Sequence, residues 1–425
     1  MKIISNKSND KLTVGIDIGS SKICCAIGQI KSDKNNIKLL GLATTKSRGI
    51  KRGVITDRDK LIETIEKVLT DAEVMANTKI TSAYLSITGE HIRSINTQAA
   101  IALNRINGGA GNISERSIEQ EDIVQVLDLA QAVSLPVDKD ILHTIPQEYV
   151  VDTLEDIKNP LGMMGRRLEA RVHLVTAAST AINNLINCVE ELGISVDGLV
   201  FQPVASALAS LEKDEMDLGV TLVEFGSNTT NIAVYHGSAL RHSSTIPIGS
   251  ASITNDIAVM LQITKKEAEK IKINYASALS FMSSNELDIK YHPNKEANHM
   301  TVSEQEVSKY VEARMQEILQ MIIREISRAD IKDPLTYGIV MTGGGAELRN
   351  LSSLIEKSLK VNVRIGKPNR IEGALEIANR PQFTTVLGLL LWPVFSVDHV
   401  QLNFHNNGTF KSLIKKIRHT IEHMF

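Results

Sequence analysis

The sequence predicts an α/β fold made of two similar halves that hold one ligand between them. Val14 to Ile27 reads VGIDIGSSKICCAI and Thr221 to Val234 reads TLVEFGSNTTNIAV. Each is an apolar strand, an acidic residue, an apolar residue, Gly-Ser, two polar residues and a second strand, an internal echo that marks a repeated unit. Strands and helices alternate around these echoes, which is the pattern of a layered α/β core. A glycine-rich turn, IVMTGGGAELRN from Ile339 to Asn350, follows in the last quarter.

Along the chain, Leu12 to Thr45 holds three β-rich segments separated by Gly19-Ser20-Ser21 and Lys34-Asn35-Asn36, a meander. From Asp57 to Ala76, Leu61, Ile62, Ile65, Val68, Leu69 and Ala72 recur at helical spacing, with Thr56 or Asp57 as cap. Ile80 to Thr88 reads as a strand. Glu90 to Gly165 looks inserted, with extended flanks and a Gly-Gly-Ala-Gly loop at 108 to 111. Arg171 to Ala177 is extended, Ala181 to Leu192 is helical and stopped by Gly193, and Val196 to Phe201 is extended again. A long helix from Glu304 to Arg328 carries Val307, Val311, Met315, Ile318, Ile322 and Ile326 on one face, behind a capping-box pattern at Ser303 and Glu306.

Bulk composition sets limits. At 425 residues and 43% apolar content, the chain exceeds one ordinary core and implies several domains. Cys24, Cys25 and Cys188 sit in apolar segments, and an odd number without paired spacing argues against a disulfide framework or a zinc site. Met1 to Leu12 lacks the apolar core of a signal peptide, so a reducing cytoplasm is expected. A net charge of −2 offers phosphate backbones no global attraction, and no nucleic-acid partner is expected. Val386 to Phe395 is about half of a bilayer span and interrupted by Gly388 and Pro393; it reads as buried core.

In each hairpin the turn offers backbone N–H groups and hydroxyls to an anion: Gly19, Ser20, Ser21 and Lys22 in the first, Gly226, Ser227, Asn228, Thr229 and Thr230 in the second. Asp17 and Glu224, at the ends of the first strands, are placed to orient a hydrated divalent cation through water. Gly-Ser turns also join many ordinary hairpins, but two in one chain favour phosphate binding. Gly343, Gly344 and Gly345 let backbone approach a flat base or sugar, although such turns also occur for steric reasons. Glu269 and Lys272, three apart on a helix from Lys265 to Ala276, share a face and are either ribose or base ligands or a solvated charge pair.

A hairpin near the N-terminus, a second about halfway and a late Gly-rich loop together resemble the superfamily of actin, the heat-shock chaperones and the sugar kinases. Within it the chain resembles the bacterial cell-division FtsA family through IPQEY at 145 to 149, IKNPLGMMG at 157 to 165, RVHLVTA from Arg171, GSALRH at 237 to 242, IVMTGGGAEL from Ile339 and VRIGKP from Val363. The similarity runs from about Thr13 to Leu391. It implies an actin-like duplicated ATPase fold with an inserted small subdomain, ATP and Mg²⁺ binding, head-to-tail polymerisation and capture of the FtsZ C-terminal tail. It also implies recruitment of later division proteins at the septum, on the cytoplasmic face of the inner membrane. The expected parts are a first subdomain over 1–89 and 166–200, the insertion over 90–165, a second body over 201–235 and 303–395, an FtsZ-binding subdomain over 236–302, a linker over 396–410 and a membrane helix over 411–425.

Two departures bear on turnover. The second hairpin usually carries Asp followed by several glycines, whereas here Glu224 precedes Gly226-Ser227-Asn228 and Asn228 adds a side chain near phosphate. Gln202, at the start of the connecting helix where active relatives place a carboxylate, is no base. At most a weak ATPase is expected, which a Glu at 202 would speed if the geometry stayed intact.

The chain ends in KSLIKKIRHTIEHMF after a polar stretch containing Asn406-Asn407-Gly408. On a helix, Leu413, Ile414, Ile417, Ile421 and Met424 form an apolar face finished by Phe425, with Lys411, Lys415, Lys416 and Arg418 largely around the other side. That is the pattern of an interfacial membrane helix, or else of a terminal helix docking on a body. A small-molecule kinase, or a peptide-binding protein of pilus assembly or chaperone type, are the competing readings of the whole chain.

Overall fold

The computed structural model describes residues 11–31, 37–103, 115–293, 299–331, 334–373 and 376–395. The Lys34-Asn35-Asn36 turn, the 108–111 loop, the 396–410 linker and the 411–425 helix lie outside the described residues.

The two echoes fold alike. Lys11–Ile18, Lys22–Ile30 and Ile37–Lys46 form an antiparallel meander, and Ser82–Ile87 and Ser195–Phe201 add in parallel on its other side. In the second half Val220–Phe225, Thr230–His236 and Ala239–Ile246 form the meander, and Ile339–Thr342 and Val363–Ile365 are the parallel pair. Matched order and register place Asp17 opposite Cys24 and Glu224 opposite Asn231. Val220–Phe225 is buried throughout and Thr230–His236 up to its last residue, as strands covered on both faces must be.

Helices cover the sheets where the apolar spacing puts them. Arg58–Ala76 starts at Asp57, whose side chain accepts from the Lys60 amide, and it buries Leu61, Ile65, Val68, Leu69 and Ala72. Glu304–Ser327 buries Val307, Val311, Met315, Ile318 and Ile322. Its cap is half of a capping box: Ser303 accepts from the Glu306 amide at 3.2 Å, while the Glu306 carboxylate turns to Lys309 and the Tyr310 hydroxyl. Val386 to Phe395 falls in the helix Thr384–Phe395, packed between the first sheet and the connecting helix Gln202–Ser210. Gly388 permits that crossing, because a Cβ there would lie 1.8 Å from the Ala205 carbonyl oxygen. Among the described residues no helix is long and apolar enough to cross a membrane.

The insertion builds its own antiparallel sheet, in the order Leu154–Ile157, Lys139–Val151, Arg167–Ala178, Arg93–Ala102. The extended segment Arg171–Ala177 therefore pairs with the insertion's strands and not with the two core sheets. Helix Gln120–Gln131 covers one face through Ile123, Val126, Leu127 and Ala130, giving the module its own small core.

Candidate functional site

A cavity of about 820 Å³ opens between the halves, and every nucleotide-site residue predicted from the sequence lines it except Thr230. Thr230 is fully buried, and its hydroxyl donates to the Ile248 carbonyl at 2.8 Å. The hairpin turns are near copies: the Gly19 amide donates to the Lys22 carbonyl at 3.1 Å and the Gly226 amide to the Thr229 carbonyl at 3.0 Å. The Lys22 ammonium does not stand free over the cavity. It donates to the Gln382 carbonyl at 2.7 Å and lies 4.3 Å from the Phe383 ring centre, tying the first hairpin to the short turn Pro381–Phe383 that leads into the helix Thr384–Phe395.

The floor is a hydrogen-bonded chain between two buried carboxylates. Ser86 Oγ donates to Asp17 Oδ1 at 2.6 Å, and Gln202 Nε2 donates to the same oxygen at 2.9 Å. Gln202 Oε1 accepts from Asn231 Nδ2 at 3.1 Å, and Asn231 Nδ2 also reaches Glu224 Oε2 at 2.9 Å. Thr88 and Thr245 hydroxyls donate to Asn231 Oδ1 at 2.7 and 2.9 Å. Ser206 Oγ, at 3.1 Å, and Thr385 Oγ1 close the network on Glu224 Oε1. Gln202 is thus no spectator at a position where a base is missing: its amide joins the acidic residues of the two halves.

Burial sets the charge here. It raises the Asp17 carboxyl above its ordinary range, against the pull of the Ser86 hydrogen bond and the Lys22 charge. Burial also pushes Glu224 up to about 7, with the Asp17 charge adding to it and the Thr385, Asn231 and Ser206 hydrogen bonds opposing. Two carboxylates strained toward their neutral forms at one cavity are groups that a divalent cation would relieve, so the donor set fits such an ion.

Glu269 and Lys272 resolve as a tied pair on the cavity wall. Their side chains meet at 2.8 Å, and Lys272 Nζ donates to Thr254 Oγ1 at 2.9 Å while the Thr254 hydroxyl donates to Glu269. The Gly-rich turn divides in two. A Cβ on Gly343 would lie 2.7 Å from the Phe225 carbonyl oxygen and one on Gly345 2.4 Å from the Phe225 ring, so these two are glycines for packing. A Cβ on Gly344 would meet nothing closer than Gln382 Cβ at 3.9 Å, which leaves its face to the cavity. Gly344→Ala is expected to keep the unfolding temperature and weaken nucleotide binding, whereas Gly345→Ala should cost about 1–3 kcal/mol through overpacking. Thermal unfolding with and without nucleotide separates the two outcomes.

The sequence reading missed Asn231, Thr88, Ser206 and Thr385 on the floor, and Arg349 and Arg380 on the rim. Arg380 forms a two-pronged pair with Glu347 at 2.7 and 2.8 Å. Arg349 reaches Glu304 and the carbonyls of Tyr275 and Ala276, fastening the Gly-rich turn to the helix Lys265–Tyr275 and the long helix. For Asn231 a signal existed, since a polar residue interrupts an apolar strand directly across the hairpin from Glu224.

A family model described as cell division protein FtsA matches residues 221–388, and one described as the SHS2 domain inserted in FtsA matches residues 89–176. Cell division protein FtsA of Pseudomonas aeruginosa is 36% identical over 389 residues, covering 92% of this chain and 91% of the relative. That of Escherichia coli is 33% identical over 387 residues, 89% of this chain and 90% of the relative. Among solved structures, a PilM–PilN type IV pilus biogenesis complex matches 90% of this chain and 98% of its own at a TM-score of 0.64 and 17% identity. MreB 5 of Spiroplasma citri bound to AMPPNP matches 96% and 99% at 0.54 and 12% identity. At such identities these structures speak for the fold alone.

Proposed function

The chain belongs to the family of the cell division protein FtsA, with an actin-like ATPase fold, and from that we propose that it is the ATP-binding membrane anchor of the FtsZ ring. In this reading Mg²⁺·ATP occupies the cavity between the two hairpins, 236–302 takes the FtsZ C-terminal tail, and 411–425 lies on the anionic inner face of the cell membrane. Head-to-tail assembly then places many tails on one filament, and later division proteins join it at the septum.

The observation that carries the nucleotide reading is the pair of buried carboxylates, Asp17 and Glu224, bridged by Gln202 and Asn231 beneath the two turns. A bound Mg²⁺ would supply charge neutralisation for the phosphates. The chain's own residues do the rest: turn amides and hydroxyls bind, Gln202 and Asn231 hold the carboxylates in place, and Arg349 and Arg380 brace the rim. In this reading Asp17 and Glu224 serve the cation and are held by Ser86, Gln202, Asn231, Ser206 and Thr385, and Gln202 is no base, which supports slow hydrolysis at most.

Mg²⁺·ATP is expected to raise the unfolding temperature, since at a hundredfold excess over Kd a ligand of the folded state contributes about 2.7 kcal/mol. The sign of its pH dependence follows from Glu224. A carboxyl whose pKa is raised by folding favours the folded state when protonated, and that contribution is lost as pH rises from its ordinary value through about 7. A cation favours the ionised form, so the ligand-induced shift should be larger at pH 8 than at pH 5.5. No shift at millimolar Mg²⁺·ATP would overturn the nucleotide reading; a shift that grew toward acid would remove Glu224 from the metal side.

A further inference from the structure

The strand Ala239–Ile246 forms the edge of the second sheet, and the inserted module rests on it. Alternation puts residues 243 and 245 on one face, and Arg241 is the extra residue of a bulge between Leu240 and His242. Thr245 Oγ1 donates to Asn231 Oδ1 in the cavity floor at 2.9 Å. Ser243 Oγ lies 2.8 Å from His173 Nε2 in the insertion, and Arg241 lies 3.4 Å from Glu148 of the insertion. One strand therefore runs from the floor of the cleft, at Thr245, to the inserted module, which it meets through Ser243 on the same face and through Arg241 at the bulge.

The contacts at the far end are polar and specific. Burial pushes the His173 pKa down to about 3, so the ring is neutral with one donor and one acceptor. Asn96 Oδ1, 2.6 Å from Nδ1, accepts only, which assigns the proton to Nδ1 and makes Nε2 the acceptor for the Ser243 hydroxyl. Asn96 Nδ2 returns to the Arg241 carbonyl at 3.0 Å, Ser94 Oγ donates to the Ser243 carbonyl at 2.6 Å and Gln147 Nε2 to the Leu240 carbonyl at 2.7 Å. Side chains of the insertion thus satisfy carbonyls of the edge strand, where a further strand would have locked it into a ladder. Side-chain bonds of this kind are remade by a small shift of the module against the strand or a twist of the strand, with the strand still paired to Thr230–His236.

We propose that this strand couples the cleft to the inserted module: occupation of the cleft resets Asn231 and Thr245, and the shift passes through Ser243 and Arg241 to His173 and Glu148. The proposal rests on the nucleotide reading above. It makes the insertion's docking a function of cleft occupancy and, because coupling is reciprocal, makes docking a determinant of nucleotide affinity.

Hydrogen exchange of the full chain with and without Mg²⁺·ATP tests it. In the unaltered protein, protection is expected at the turns 19–22 and 226–229, together with changed exchange in Arg93–Ala102 and Arg167–Ala178. In Ser243→Ala, and separately in Arg241→Gln, the turns should still respond while the insertion's response falls away, and nucleotide affinity should shift by about fivefold or more. Protected turns with a silent insertion in the unaltered protein would overturn the coupling and leave the nucleotide reading standing. Turns that stay unprotected would overturn both. An insertion response that persisted in both variants would mean general stabilisation by the ligand, and the strand would not be the conduit.

Discussion

Replacing Gln202 with Glu is expected to destabilise the unliganded protein at pH 7.5 by about 3–5 kcal/mol, the scale for leaving a buried charge without a partner. Gln202 is buried, and its amide donates to Asp17 Oδ1 at 2.9 Å and to Ser86 Oγ at 3.3 Å. An ionised Glu has no donor. It would face Asp17 with like charge while Glu224, already raised by burial and by Asp17, lies across Asn231. The new carboxyl should itself have a raised pKa, so its cost grows as pH rises and shrinks toward pH 5, where the protonated form donates to Asp17 again. Denaturation at pH 5 and 7.5 measures this, and an unchanged stability at pH 7.5 would show that Gln202 does not hold the floor together. Sequence alone suggests that a Glu here speeds turnover; the geometry predicts that it loosens the cleft first, with no gain in hydrolysis.

That reversal shows what the sequence exposes and what it hides. The two hairpins are legible because a Gly-Ser turn between apolar strands is a local signal, and the long helix because seven turns of apolar spacing average out exceptions. Arg171 to Ala177 is legible as extended, but the partners of the strand it belongs to, Arg167–Ala178, are Arg93–Ala102 and Lys139–Val151, and no local pattern says which sheet a buried strand will join. Helix Gln120–Gln131 has its apolar residues at helical spacing and was still hidden beside the more conspicuous glycine loop. The floor of the cleft is the least legible part. Thr385 reaches Glu224 across 161 positions and looks in isolation like an unremarkable polar residue at a helix start, while Gln202, which reaches Asp17 across 185, stands out only through the family resemblance and not as a bridge. Gly343 and Gly345 carry a second demand that the sequence does not show, since both line the cavity and both are also required by the packing of Phe225.

Deleting residues from Lys411 onward is expected to abolish sedimentation with anionic liposomes while leaving the Mg²⁺·ATP shift unchanged. Each Lys or Arg near an anionic leaflet contributes about 1 kcal/mol, and partial burial of Leu413, Ile414, Ile417, Ile421 and Met424 adds several times that before the cost of ordering the helix is subtracted. A single tail is then a reversible anchor, and many tails on one filament a persistent one, through effective concentration and with no new contact. Changing Ile417 and Ile421 together to Glu should match the deletion, because two charges then sit on the inserted face of a chain of full length. Changing Lys415 and Lys416 to Ser should weaken binding only in part and flatten its salt dependence, since the apolar contribution remains. The tail peptide should gain helix, read by circular dichroism, on anionic and not on neutral vesicles. Were the shortened chain to sediment as well as the full one, the anchor would lie elsewhere and these residues would more simply be a helix that docks on a protein surface.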